Sequence, residues 1–400
     1  MLQEAVSNNS DLKVAVGRIK EAEANLRQSK AAFLPTLSVE PEYTKQKIAA
    51  SQGGNLGIFP SNSYEILGSA SWEADIWGKL KSSKKAALAS LLQSDAYKRY
   101  VQTQVIANVA TDYYNLLAYD KQLAITMETV ENRKEDVETN KALKQANMSS
   151  INEASVAQSE ANRYAAEVTI PNLQNSIRQT ENAICVLLGR QLGPIQRDSL
   201  DKQQVDTSLQ TGLPAQLLSN RPDVQEAEFN LRYYFEQINV ARAYFYPSLS
   251  ITAQGGWQSA TIGALFNTAS LFGSITAGLT QPIFNHGLNK QRLAVAKAQY
   301  EENIATFQQK VLTAGQEVAN ALYSYQAAER TIAIRRLQLD ASKRAVVYNR
   351  ELLKNAYATY TDVLTSEQNY LSAQLNSVSD RLQQLTAIVS LYSSLGGGWK

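Results

Sequence analysis

Cysteine and histidine are nearly missing: 400 residues contain one of each. The lone Cys185 excludes a disulfide framework. Its setting, Ala183-Ile184-Cys185-Val186-Leu187-Leu188, reads as a small buried apolar residue. His286 has no second histidine to join it in a metal cluster, and no Ser-His or Cys-His nucleophile pair suggests itself. Nine prolines and 19 glycines are few for this length, which favours long uninterrupted helices. Net charge is only +2, so no global field attracts nucleic acid. The local cluster Lys79, Lys81, Lys84 and Lys85 reads as the solvated face of a helix start. No apolar run approaches about 18 residues, so no helix of the sequence is expected to cross a membrane. No phosphate-binding loop and no catalytic constellation occur, and the chain reads as a non-enzyme without cofactor or metal.

What the sequence has is repetition. Residues 11–43 resemble residues 223–255 at an offset of 212: Lys30-Ala31-Ala32-Phe33-Leu34-Pro35-Thr36-Leu37 matches Arg242-Ala243-Tyr244-Phe245-Tyr246-Pro247-Ser248-Leu249. Further along the offset drifts to 209, where Gly78 meets Gly287 and Tyr114 meets Tyr323, and Leu188-Gly189 later meets Leu395-Gly396. One unit of roughly 200 residues is written twice. The expected organisation is a first repeat over 1–189, a linker over 190–221 and a second repeat over 222–400.

Each unit opens on a helix, roughly 11–32 or 223–245, stopped by a proline whose preceding residue disfavours helix. Two alternating segments follow, 36–48 with 64–76 and 248–259 with 271–283. In 248–259, Leu249, Ile251, Ala253 and Trp257 share one face and Ser248, Ser250, Thr252 and Gln254 the other. Period 2 with one apolar face predicts strands. Tyr43, Tyr64, Trp72, Trp77 and Trp257 fall in or near strand ends, as in a membrane-interface belt. The excess of tyrosine over phenylalanine, 20 against nine, fits rings with one wet end.

After each strand pair comes a very long helical pattern. Ile106, Val109, Tyr113, Leu116, Asp120, Leu123, Met127 and Val130 step by three and four, as do Ile304, Phe307, Val311, Ala314, Val318, Ala321 and Tyr325. About 65 residues without proline or glycine would extend roughly 98 Å. Each long helix turns, near 147–150 and 357–360, and returns. The final return carries a heptad seam, Leu371, Leu375, Val378, Leu382, Leu385, Val389 and Tyr392. Pro171 falls inside the first return helix, where a kink is expected.

Four strands cannot close a barrel, and an open sheet with an apolar outer face would aggregate. Several copies must therefore share one barrel, with the helices continuing it as a tube. A cytosolic coiled-coil scaffold would account for the helices but has no use for four symmetrically placed strands.

Specific stretches resemble the TolC-like outer-membrane efflux family: Leu213-Pro214 with Arg221-Pro222-Asp223-Val224, Ala241-Arg242-Ala243-Tyr244-Phe245-Tyr246-Pro247-Ser248, Gln281-Pro282-Ile283-Phe284, Gln316-Glu317-Val318-Ala319-Asn320-Ala321-Leu322, and the terminal Gly396-Gly397-Gly398-Trp399. The resemblance covers essentially the whole chain and is closest to the lipoprotein-type exit ducts of RND multidrug pumps. It implies a mainly α fold with a β-barrel part: a homotrimer with a 12-stranded transmembrane barrel in the outer membrane of a Gram-negative bacterium, continuous with a 12-helix periplasmic α-barrel. The linker would form an equatorial belt. The implied partners are a periplasmic adaptor, an inner-membrane RND transporter and outer-membrane lipid. The implied cargo is drugs or other small toxic compounds, with the duct of a type I protein-secretion system as the alternative. Family members begin with a secretory signal and, in this branch, a lipid-modified cysteine, both expected upstream of the point matching Met1.

The family closes its periplasmic end with carboxylates at the hairpin tips. That implies a gate at Asp362 and Glu153, matched to each other at offset 209, although both positions also suit acids at helix starts. Some relatives carry an aspartate where this chain has Thr365. Tyr357 and Tyr360 are the expected adaptor contacts.

Overall fold

The computed structural model describes residues 1–46, 61–146, 151–204, 220–355 and 357–399. The Leu213-Pro214 part of the family stretch and residues 147–150 of the first turn lie outside them. In order come α1 (Leu2–Asn8), α2 (Ser10–Ala31), β1 (Thr36–Gln46), β2 (Ser61–Ala74), α3 (Lys79–Gln145), α4 (Glu153–Glu167) and α5 (Thr169–Leu188). After the 190–221 segment follow α6 (Pro222–Ala243), β3 (Ser248–Ser259), β4 (Leu271–Thr280), α7 (Leu288–Lys354) and α8 (Tyr360–Ser394). The chain forms two compact units. One comprises Gly17–Asp95 and Glu226–Gln308; the other comprises Met1–Val16, Ala96–Gln225 and Gln309–Lys400.

The first of these holds the strands. Helices α2 and α6 end at Ala31 and Ala243, just short of Pro35 and Pro247, and the strands start on the residue after each proline. The four strands make one antiparallel sheet in the order β1-β2-β3-β4. Thr36 faces Ser71 in β1–β2 and Ser248 faces Thr280 in β3–β4. The same side-chain bond recurs in both pairs: Thr36 Oγ1 donates to Ser71 O at 3.1 Å, and Ser248 Oγ donates to Thr280 O at 3.3 Å. Leu37, Val39 and Tyr43 of β1 and Leu271, Ile275 and Leu279 of β4 are all exposed, so the outer strands carry bare apolar faces. At the strand ends Tyr43 lies 4.8 Å from Tyr64, and Trp77 stacks on Tyr246 at 4.8 Å.

The second unit is helical. Within it, Val101, Val105, Val109 and Leu116 of α3 pack with Ile184, Cys185 and Leu188 of α5 and with Ala5 and Leu12. A separate cluster joins Leu117, Ala118 and Ile125 to Val378 and Leu385 of α8 and to Leu200. The heptad seam of α8 thus finds its partner in the next turns of α3. Both outgoing helices, α3 and α7, run unbroken for 67 residues. The return of the first repeat is broken at Val168, three residues before Pro171, because proline cannot donate to the preceding turn. The return of the second repeat runs unbroken over 35 residues.

Both return helices stop on a left-handed glycine, Gly189 at φ 64° and Gly396 at φ 77°. A Cβ at Gly189 would sit 2.6 Å from Asn8 O, and one at Gly396 would sit 3.1 Å from Asn220 O. Each closing turn is pinned by the residue after that carbonyl. Asn9 Nδ2 donates to Leu187 O at 3.0 Å, and Arg221 Nη1 donates to Ser394 O at 2.9 Å. Arg221 and Asp223 are buried and form a bidentate pair, with both N···O distances 3.0 Å, and Glu317 accepts from Arg221 Nη2 at 2.5 Å. That network is the physical content of the Arg-Pro-Asp motif, with Pro222 at the first helical position where no N–H is needed. Replacing Arg221 by alanine strands a buried carboxylate and frees the last turn of α8. The expected loss is about 3–5 kcal/mol, seen as a lowered unfolding midpoint in detergent. An unchanged midpoint would show that the network contributes no stability.

Candidate functional site

Two helix reversals end the helical unit's hairpins, and the residues singled out from sequence lie in or beside them. At the first, Asn152 caps α4 by accepting from Ser155 N at 3.0 Å, and Glu153 is paired with Lys144 of α3. At the second, Thr359 caps α8 in a reciprocal capping box with Asp362. Asp362 Oδ2 accepts from Thr359 N at 2.8 Å and from Thr359 Oγ1 at 2.7 Å. Those bonds, the hydroxyl first and the backbone second, hold the Asp362 carboxyl below its ordinary value. It stays ionised, exposed at the start of α8.

Glu153 and Asp362 do not occupy equivalent places. Measured from the caps, Glu153 is the first helical residue and Asp362 the third, so Ser155 is the structural counterpart of Asp362. The match at offset 209 fails here because residues 146–152 separate α3 from α4 whereas only 355–359 separate α7 from α8. The first turn is two residues longer. Past it, the caps at Asn152 and Thr359 and the glycines at 189 and 396 keep one common spacing.

The two tyrosines also part company. Tyr357 is 83% exposed, whereas Tyr360 is 7% exposed and packed inside. Burial first, and the carboxylates of Asp136 and Glu367 next, push the Tyr360 hydroxyl up to about 12. Its neighbours form a polar cluster that the sequence reading missed. Arg133 of α3 donates to Asn162 O of α4 and, through Nη2, to Gln368 Oε1 of α8 at 2.9 Å. Arg350 of α7 lies 2.6 Å from Glu367 Oε1 of α8 and 3.5 Å from Asp136 Oδ1 of α3. Arg133 and Asn140 are buried. One signal was available. Arg133, Val137 and Asn140 continue the three-and-four stripe that runs through Val130, so polar residues stand on core positions. Asp136 is one position off that stripe, next to the buried Val137.

This cluster joins helices of both hairpins, one ion-pair arm from each. Burial first, and the charge of Glu367 second, push Asp136 up to about 7, against the pull of Arg350 and Arg133. A similar polar clamp holds the start of the 190–221 segment. Arg197 pairs with Asp120 Oδ2 at 2.5 Å and with the buried Glu181 Oε1 at 2.6 Å. Among the described residues no group of three or more His, Cys, Asp or Glu side chains could hold a metal ion.

Comparison with known proteins places these features in context. The family model described as outer membrane efflux protein matches residues 1–190 and 213–397. The chain is 32% identical to the toluene efflux pump outer membrane protein TtgC of Pseudomonas putida, over 100% of this chain and 82% of that protein. It is 29% identical to the cation efflux system protein CusC of Escherichia coli, over 100% of this chain and 86% of that one. A crystal structure of CusC superposes with a TM-score of 0.90, covering 99% of this chain and 91% of that one. The open state of the Neisseria gonorrhoeae MtrE outer membrane channel gives 0.88 at 28% identity, covering 100% and 88%.

The raised Asp136 value has a definite sign. Folded, the carboxyl keeps a proton that the unfolded chain releases near pH 4, so its contribution to stability is full below that value and is lost as pH rises through about 7. Asp136→Asn, a permanent mimic of the protonated form, is expected to be more stable than the parent by about 1–2 kcal/mol at pH 8, with the gap closing by about pH 4. Thermal unfolding at the two pH values measures this. A variant less stable at pH 8 would mean that the ionised pair with Arg350 dominates.

Proposed function

The chain belongs to the TolC-like outer membrane efflux protein family, and from that premise we propose that the turn between α7 and α8 narrows and docks the duct. The protein is an outer-membrane efflux duct with a long periplasmic helical part, not an enzyme. It acts as a homotrimer together with a periplasmic adaptor and an inner-membrane RND transporter.

Asp362 is the gate carboxylate. The observation that carries this is the capping box: both bonds from Thr359 fall on Oδ2, which fixes the side chain and leaves Oδ1 without a bond to Thr359. Three such groups, one per copy, would form an acidic ring that favours cations and resists close approach. Glu153, tied to Lys144, serves as the partner acid at the other turn with part of its charge already compensated. Tyr357 offers the adaptor an exposed ring, and Tyr360, buried behind it, fixes the turn that presents it. The two tandem repeats, 1–189 and 222–400, are joined by residues 190–221 as an equatorial belt, anchored through Arg197.

The cargo is drugs or other small toxic compounds. Relatives of similar identity are named for toluene and for cations, which supports a conduit that leaves selection to the pump.

Single-channel conductance in a planar bilayer tests the gate. The parent is expected to give small, cation-selective steps, and Asp362→Ala larger, less selective ones; unchanged steps would remove Asp362 from the gate. Tyr357→Ala is expected to weaken site-specific cross-linking to the adaptor severalfold while leaving conductance intact. Equal cross-linking would place the contact elsewhere.

A further inference from the structure

The chain holds two internal copies of one strand pair, and that copying has a measurable precision. Moving β1 forward by 212 and β2 forward by 209 turns the pair Thr36↔Ser71 into Ser248↔Thr280, the pair observed, and does the same along the whole ladder. The junction between the two pairs is β2–β3, where Ser71 faces Thr252, Ser69 faces Gln254 and Ala70 faces Ala253. Among the described residues the other junction, from β4 onward to a β1, has no partner, because these are the two ends of the sheet.

We propose that β4 of one copy pairs with β1 of the next in the register that the β2–β3 junction dictates: Thr280 opposite Glu40, Gly278 opposite Glu42 and Thr276 opposite Thr44. This rests on the trimeric reading, since the family supplies the closed barrel; the residue register comes from the chain's own repeats. Three observations support a second copy in this one alignment.

First, the faces agree. The transferred register sets Leu279 against Pro41 and Ala277 against Tyr43, apolar beside apolar, whereas a slip of one residue would turn one strand's apolar face to the wrong side. Second, the exposed apolar side chains are concentrated on the two strands that would meet. Leu37 and Val39 on β1 and Ile275 and Leu279 on β4 are each well over half exposed. Third, the flanking contact is made at one junction and open at the other. Trp77 stacks on Tyr246 and donates from Nε1 to Pro247 O at 2.8 Å. The same offsets convert those residues into His286, Leu34 and Pro35. His286 stands edge-on to Phe284, and Phe284 and Leu34 are both exposed. In the assembly, His286 and Phe284 of one copy cover Leu34 of the next.

Paired cysteines read the register directly. Thr280→Cys is combined in turn with Ser38→Cys, Glu40→Cys and Glu42→Cys, and the detergent-purified trimer is oxidised; the chain's own Cys185 is buried and does not compete. Opposed residues fall within disulfide reach and those two positions away do not, so the Glu40 pair is expected to cross-link about tenfold more than either neighbour. Strongest cross-linking at Ser38 or Glu42, or none at any pair in a protein of trimeric mass by light scattering, overturns the register and leaves the trimer standing. A monomeric mass overturns both.

Discussion

A strand in lipid must have every backbone N–H and C=O paired, because no water is present to accept or donate in place of a missing neighbour. The described sheet has four strands and two bare edges, so the chain on its own leaves one row of groups unpaired on β1 and another on β4. Those edges make assembly a condition of membrane residence. They also explain why the outer strands show their apolar faces: the same side chains that would precipitate a soluble protein suit lipid contact once the barrel is closed.

The helical unit solves a different problem. Helices of 67 residues cannot be held by propensity alone, and the packing that holds them is a narrow stripe of Ala, Val and Leu against a return helix. A narrow stripe leaves the ends of the hairpins weakly specified. At the closing turns, Asn9 and Arg221 bond the last carbonyls of α5 and α8, and the glycines at 189 and 396 let another backbone come close. At the reversals, ionic groups take the place of apolar ones. Arg133, Asp136, Arg350 and Glu367 bring α3, α7 and α8 together through a partly satisfied set of charges.

Charges at the reversals add a dependence on protonation that hydrocarbon lacks. An apolar core is lost all at once when it opens, whereas a buried ionic cluster with a carboxyl near neutrality has more than one protonation state of similar energy. Burial and repulsion from Glu367 make Asp136 an easily protonated link between the hairpins. Asp362, exposed and fixed by Thr359, remains charged throughout. One carboxylate lies half-buried between helices of the two hairpins, and the other is exposed at a helix start.

The sequence by itself determined the repeats, the strand pairs to within a few residues, the two long helices and the family. All of these rest on local patterning: period 2, three-and-four spacing, and proline at the helix exits. Tertiary structure decided which polar residues are buried. Glu181, Asp223 and Arg133 look like surface residues in the sequence, and the fold buries them: Arg197 of the following segment reaches Glu181, Arg221 pairs with Asp223, and Arg133 donates to Asn162 O and Gln368 Oε1. It also separated Tyr357 from Tyr360, three residues apart in sequence but on opposite sides of a helix cap. The equivalence of Glu153 and Asp362 failed for a related reason. Sequence offsets add up every insertion before a position, whereas a helix cap restarts the count, and a turn two residues longer moved one acid to the first helical position and left the other at the third.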